Sequence, residues 1–363
     1  MDVGVHQPVV TVTSGSWRYQ TVAGCYDEMI NERGQIRPAW RAIAGALQAM
    51  GPEELQRRWE QGRRLLHENG VTFNAYGDRQ GLDRPWALDA FPLIIAADEW
   101  RLIEAAVVQR ATMLNAALAD LYGPQKLLRD GVLPPTLPFT NSNFLRPMLG
   151  VSVPRSLYLH LYAADLARSA DGQWWFVNDR TQAPSGWGYA LENRQVISRS
   201  LPEVYRDSQV HRVSEFISRF GELLFNLAPS HRDNPRIVLL TPGPRSSAYF
   251  EHVFLARQMG LTLVEGGDLT VRDDRVYLKT LSGLLPVDVI LRRVSDAMCD
   301  PLELREDSLL GVAGLVDVVR AGHVVVANAL GTGLIHGAML LAHGGDLTRV
   351  LLGEEPKLPS LPS

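Results

Sequence analysis

The sequence predicts an α/β fold in an α+β arrangement: a helical N-terminal region, an antiparallel β unit and a Rossmann-like α/β unit. Three observations predict it. Apolar residues recur at helical spacing through the first third, between Pro and Gly boundaries. Two β-prone runs flank an Asp-Gly pair near the middle. From residue 236 onward, short apolar strands alternate with helical segments, the pattern of a parallel sheet.

Pro38 opens the first helical segment, PAWRAIAGALQAM, in the turn where its missing N–H costs nothing. Pro52 opens a second, PEELQRRWEQGRRLLHENG, with Glu53 and Glu54 early, basic residues later and Gly70 at the stop, which suits the helix dipole. The longest periodic run is 97–123, where Leu102, Ala106, Met113, Leu114, Ala117 and Leu121 mark the buried stripe and Gly123-Pro124 ends it. The Gly-, Asp- and aromatic-rich stretch from Gly70 to Ile95 reads as strand and loop.

In the middle, LYLHLYA (157–163) and QWWFVN (173–178) read as strands joined through Asp171-Gly172. Residues 201–228 read as helical. Strands follow at RIVLLT (236–241), LTLVEG (261–266), VYLK (276–279), VDVILRRV (287–294) and HVVVAN (323–328), with helices around 248–259 and 303–321. The Pro/Ser-rich end, EEPKLPSLPS, is expected to fray.

Composition excludes several classes. The chain has 363 residues, 46% hydrophobic and 21% charged, with a formal net charge of −4, so it has ample core and is not disordered. The balanced charge argues against nucleic acid or a polybasic membrane contact as partner. Cys25 and Cys299 are its only cysteines, which argues against a zinc site or a disulfide framework. The first twenty residues lack a basic start and an apolar h-region, and no apolar run is long enough to span a membrane, so the expected location is cytoplasmic. No P-loop occurs. GTGLIHG (331–337) carries His336 within a partial dinucleotide fingerprint and reads as a tight turn, and APSGWG has Ala183 where a nucleophile elbow needs Gly. The pair Glu251-His252 reads as core or surface hydrogen bonding rather than as a metal site, and Arg57-Arg58 and Arg63-Arg64 as a solvated helix face.

The densest chemistry lies in 157–194. Asp165 stands six residues before Asp171, and Asp179 seven after Gly172, so the two aspartates are expected to lie roughly opposite each other on the hairpin. Together with Asn178, Thr181 and Gln182 they would form a set of hard oxygen ligands suited to Mg2+, an ion that keeps phosphate oxygens and waters in its shell. The plainer alternative is that Asp165 caps a helix and Asp179-Arg180 is an exposed turn. Glu192, Asn193 and Arg194, at the end of a Gly-rich loop, add functional groups beside the strand.

The run from Asp179 to Arg194, DRTQAPSGWGYALENR, resembles the circularly permuted type-2 ATP-grasp proteins, relatives of glutathionylspermidine synthase. Further blocks extend the resemblance over almost the whole chain: YDEM, ENGVTFNAYGD, DRPW, LNAALADLYGPQ, HLYAADLA, LTPGP, YFEH, LVEGGDL, DVILRRV, CDPLELR and NALGTGL. It implies an ATP- and Mg2+-dependent carboxylate–amine ligase that works through an acyl phosphate on a peptide-like or polyamine-like substrate. It also implies Asp165 and Asp179 as metal ligands, Thr181, Gln182 and Asn193 at the nucleotide, and Glu192 and Arg194 as catalytic groups. The implied layout is a helical region (1–145), the metal-binding half of the ATP-grasp domain (146–228), a Rossmann-like pre-ATP-grasp unit (229–345) and a tail (346–363).

The sequence departs from this pattern. The family's nucleotide-gripping subdomain carries an Ile-Lys-Pro-like strand, and no such tripeptide occurs here. Ser246-Ser247-Ala248, Ser295 and Ala297 replace more polar or acidic family positions. A truncated, catalytically incompetent chain that binds a partner, or an N-terminal fragment completed in trans by a missing C-terminal half, is therefore the competing expectation.

Overall fold

A computed structural model describes residues 11–13, 16–19, 21–73, 85–229 and 233–361. Within the stretch read as strand and loop, residues 74–84 lie outside the described set, and so do the last five residues of the ENGVTFNAYGD block and the first two residues of DRPW.

A short hairpin, β1 (Thr11–Thr13) with β2 (Ser16–Arg18), precedes helix α1 (Arg41–Glu68). Gly51, at φ 74° and ψ 167°, breaks α1 into the two helices that Pro38 and Pro52 predict. Helix α2 (Ala97–Leu121) is the predicted long helix. Its buried stripe runs through Ile103, Ala106, Met113, Leu114, Ala117, Leu118 and Leu121, whereas Leu102 lies on the solvent side, one position off the expected register. Short helices α3 (Lys126–Arg129) and α4 (Thr136–Phe139) follow.

The central hairpin joins β3 (Ala163–Arg168) to β4 (Trp174–Arg180). Asp171 accepts hydrogen bonds from the Ser169 hydroxyl and the Gln173 N–H, and Gly172 takes φ 88° to close the turn. Residues 157–162, expected to be strand, run outside it: Asn115 and Asn328 take the N–H groups of residues 158–161 that a sheet partner would have used. Helix α5 (Trp187–Ser200) starts where a loop was expected. The helical stretch 201–228 is two helices, α6 (Pro202–Asp207) and α7 (Ser214–Phe225).

The parallel sheet is the predicted Rossmann-like unit. It comprises β5 (Ile237–Leu240), β6 (Thr262–Val264), β10 (Val289–Arg292) and β11 (Val325–Ala327), in the order β11-β10-β5-β6, with α8 (Tyr249–Met259) between β5 and β6. Between them an antiparallel meander, β7 (Leu269–Arg272), β8 (Arg275–Thr280) and β9 (Gly283–Pro286), takes VYLK out of the parallel sheet. The helix expected around 303–321 is reduced to α9 (Leu315–Arg320). Asp300 instead accepts the N–H groups of Leu302, Gly314 and Val316, and that turns the preceding segment into a looped cap.

Alternate sheet residues feed two cores. Val238, Leu240, Ile290 and Val326 pack with Met113, Leu114 and Leu118 of α2 and Leu315, Val316 and Val318 of α9. Leu239, Val289, Leu291 and Val325 pack on the other face with Ile217, Phe220 and Leu224 of α7 and Leu255 of α8. Each fully buried leucine contributes about 1.5–3 kcal/mol, so α2 is fixed to the sheet despite being more than a hundred residues away in sequence.

Of the stretch expected to fray, residues 354–361 are packed against the fold. Helix α10 (Gly344–Leu352) lies on α2, and residues 354–361 run along β4. Phe176 donates to the Pro359 carbonyl and accepts from the Leu361 N–H (both 2.9 Å), and Gln109 exchanges hydrogen bonds with residues 354–357. Proline suits such an edge because it is not asked to donate there. No helix among the described residues is long and apolar enough to cross a membrane.

Candidate functional site

In an open parallel sheet, ligands bind where the strand order reverses, outside the carboxyl ends of the strands. Here the chain leaves β5 for β6 on one side and reaches β10 on the other, so that end carries Thr241–Pro244, Arg293–Asp296 and Asn328–Gly333. The end of β4 and residues 181–182 dock onto it.

Asn328 makes the joint. Its Oδ1 accepts the His160 and Leu161 N–H groups (both 2.8 Å), and its Nδ2 donates to the carbonyls of Leu161 (2.6 Å) and Thr181 (2.7 Å). Thr181, fully buried, donates its hydroxyl to the Thr332 carbonyl (2.7 Å) and its N–H to Nδ1 of His336 (3.2 Å). Gln182 Oε1 accepts the Asp296 N–H (2.9 Å), and Asp179 and Gly337 exchange backbone hydrogen bonds.

Beneath this joint lies a buried charge pair. Arg292, at the end of β10, pairs with Asp296 and also donates to the Asn328 carbonyl (2.8 Å), the Val294 carbonyl (2.8 Å) and the Thr332 hydroxyl (2.9 Å). Asp296 in turn accepts the Gly333 N–H at 2.5 Å. Burial pushes the Asp296 carboxyl up, against the pull of Arg292. Gly331 (φ 98°) and Gly333 let the loop pass close: a Cβ on Gly331 would lie 2.7 Å from the Tyr122 ring, and one on Gly333 2.7 Å from Asp296. GTGLIHG is therefore the tight turn its sequence suggested, built around Thr332–Ile335.

Glu251 and His252 are core hydrogen-bonding groups, as expected. Glu251 accepts the Gly186 and Gly188 N–H groups at the start of α5 (2.7 and 2.8 Å) and faces Arg293 at 3.3 Å. His252 shares a 2.9 Å hydrogen bond with Thr241. Burial pulls the His252 imidazole down to about 3 and that of His160 to about 4, with Arg293 and Arg292 respectively adding repulsion. Such a histidine is protonated first in the unfolded chain, so its contribution to stability is complete above pH 6.5 and is lost as pH falls towards about 4 for His160 and about 3 for His252. His252→Gln should flatten the fall in unfolding free energy over that window by up to about 1.4 kcal/mol per pH unit, measured by urea titration across the pH range.

The two aspartates are not placed as expected. A bulge at Val177 sets Asp165 opposite Asn178 and Asp179 opposite Ala164. Directly opposed residues share a face, so the carboxylates leave the hairpin on opposite sides. Asp179 faces inward with Phe176 and Leu166 and is 0% exposed. It receives Arg110 Nη2 at 2.6 Å, Arg110 Nε at 3.1 Å and the Tyr162 hydroxyl at 2.6 Å. Asp165 lies on the outer face, 39% exposed, with both its oxygens against Arg180 Nε (2.9 and 3.0 Å) and Asn178 Nδ2 at 2.9 Å. Partial burial works to raise its pKa, but the hydrogen bonds from Arg180 and Asn178 prevail and lower it. Among the described residues no group of three His, Cys, Asp or Glu is placed to hold a metal ion. The shared Mg2+ site expected from counting outward along the hairpin does not fit these residues.

Glu192, Asn193 and Arg194 lie on helix α5, not in a loop, and face other neighbours. Glu192 is buried and accepts from Asn69 at the end of α1, and Asn193 accepts from the Trp86 indole (2.9 Å). Arg194 lines a cleft of about 340 Å3 with Arg212, Tyr205 and Ser214. Sequence reasoning placed Thr181 and Gln182 at the site but missed Asn328, Arg292, Asp296 and His336. The available signal was charge: two arginines ending the apolar run VDVIL have no reason to be there unless buried acceptors await them.

Comparison with known proteins agrees with this architecture. An uncharacterised protein of Synechocystis is 41% identical over 338 residues, covering 93% of this chain and 70% of its own length. Two uncharacterised proteins of Mycobacterium tuberculosis are each 38% identical over 93% of this chain, which spans 39% of one and 61% of the other. The fold matches a glutathione synthetase-like effector from Globodera pallida in its apo form, with a TM-score of 0.56 at 12% identity, covering 85% of this chain and 69% of that one. The model of one family, circularly permuted ATP-grasp type 2, matches residues 92–363, and the chain belongs to that family.

Proposed function

We propose that this chain takes part in an ATP-dependent carboxylate–amine ligation. Enzymes of the family use ATP, typically with Mg2+, and act on small molecules. In the proposed reaction a substrate carboxylate oxygen attacks the γ-phosphorus of ATP and ADP leaves. An amine then attacks the acyl carbon, phosphate departs and the amine proton passes to solvent or a nearby base. A peptide-like or polyamine-like molecule is the proposed substrate.

One observation carries the reading for this chain. The strand end Arg180–Gln182 is locked onto the carboxyl-end loops of the parallel sheet by Asn328, Thr332 and Asp296, at the topological position where α/β sheets bind ligands. The proposal places the phosphates near Arg180 and the residue 331–333 loop. Glu192 and Arg194, on α5, are proposed for the substrate side. Because the chain spans 39–70% of the relatives described above, a nucleotide-gripping segment supplied from elsewhere is part of the proposal.

Isothermal titration of the full chain with ATP tests it. Saturable binding at submillimolar ATP is expected. No heat at millimolar ATP, with the chain folded by circular dichroism, would overturn the reading for this chain on its own.

A further inference from the structure

The outer face of the hairpin carries three side chains in register: Asp165 opposite Asn178, and Arg180 opposite Ala163 two residues further along β4. A carboxylate, an amide and a third polar group on one face of two strands form an arrangement that a divalent cation could use. The third group here is a guanidinium. Its Nε lies 2.9 and 3.0 Å from the two Asp165 oxygens, where a metal ion would otherwise be drawn. Asn178 is turned the same way, with its Nδ2 rather than its oxygen on Asp165 Oδ2. A cation entering this face would have to displace both donors and meet the charge of Arg180.

The geometry points to Arg180 as a tethered cation that takes the place of the divalent metal on this face and binds a ligand phosphate directly. Asp165 holds the guanidinium through Nε alone, and neither terminal nitrogen has a hydrogen-bond partner among the described residues. Those two nitrogens form a planar fork suited to two oxygens of a phosphate. The Arg180 side chain is 46% exposed, so the fork is open to a ligand. Next to it, Nδ1 of His336 accepts the Thr181 N–H, which leaves the ring proton on Nε2 as a second donor. Burial, and then Arg180, lower the His336 pKa, so the ring adds a neutral donor and no competing charge. Asp165 is then a positioning residue for Arg180 rather than a metal ligand.

This inference rests on the ligase reading for the identity of the phosphate but not for the exclusion of metal, and two measurements separate the two. The first is a Mn2+ titration of the full chain, followed by electron paramagnetic resonance without nucleotide. Wild type is expected to show no submillimolar site. The double variant Asn178→Asp/Arg180→Asn, which supplies a second carboxylate and removes the guanidinium, should bind Mn2+ at least about tenfold more tightly. A submillimolar wild-type site that Asp165→Asn abolishes, or a folded double variant that gains nothing, overturns the proposal. The second measurement is ATP titration in EDTA and in excess Mg2+. The two affinities should agree within about threefold, and Arg180→Ala should weaken both by about 10–100-fold, the worth of a charge-assisted bidentate contact. Binding that vanishes in EDTA overturns the proposal. Absence of ATP binding in both buffers overturns the ligase reading and the phosphate role, and the Mn2+ titration alone then decides whether this face excludes metal.

Discussion

Replacing Asp179 with alanine is expected to cost about 3–5 kcal/mol of folding stability, because it strands a buried arginine. Arg110 is 5% exposed and Asp179 0%, and the Tyr162 hydroxyl at 2.6 Å completes the cluster. Without the carboxylate, the guanidinium keeps, among the described residues, the Ser360 hydroxyl at 3.3 Å and the face of Phe176. Asp165→Ala removes a partly exposed pair instead and should cost no more than about 1 kcal/mol. Urea unfolding of the two variants makes the comparison. Losses of similar size would mean that the two aspartates share one environment, contrary to the register of the hairpin. The contrast also matters for assays: lost activity in Asp179→Ala reports on folding, whereas Asp165→Ala is the variant to read for ligand binding.

Asn328→Ala should be nearly as damaging, at about 3–5 kcal/mol, because it leaves buried N–H and C=O groups of residues 160, 161 and 181 without their partner. Its signature differs from that of Asp179→Ala. Asn328 joins the strand end to the loop after β11, so hydrogen exchange at Leu161 and Ala329 should rise together in the variant. Protection at Val238 and Leu239, inside the parallel sheet, should fall only with global stability. Uniform loss of protection at all four positions would show that the joint is no weaker a point than the core.

Much of this architecture is legible in the sequence because it is written in local chemistry. Proline and glycine mark the ends of the first helices, Asp171-Gly172 marks the hairpin, and the apolar runs ending at Leu240, Arg292 and Ala327 mark the parallel strands. Where local signals compete with tertiary ones, the reading fails. Residues 157–162 have the composition of a strand, but Asn115 and Asn328 take its N–H groups from the side. Pro-rich 354–361 looks like a loose end but finds a groove between α2 and β4. The candidate site shows the same limit at higher stakes. A single bulge residue, Val177, turns two aspartates that look paired in the sequence to opposite faces. No count along the chain reveals a bulge, since it arises from packing Phe176 and Asp179 against α2 while Asn178 stays level with Asp165.

The path of residues 354–361 along β4 also bears on how the protein is made. Asp179 finds its counter-charge on Arg110, and Arg110 in turn meets Ser360, so three stretches up to 250 residues apart close one buried cluster. A ribosome delivers them in order, and the hairpin emerges long before the segment that covers its edge. Until then Phe176 of β4 lacks its backbone partners Pro359 and Leu361, although Arg110 and Asp179 have both already been made. The nascent chain carries that edge uncovered until residues 359–361 emerge, which makes this seam a late one to close.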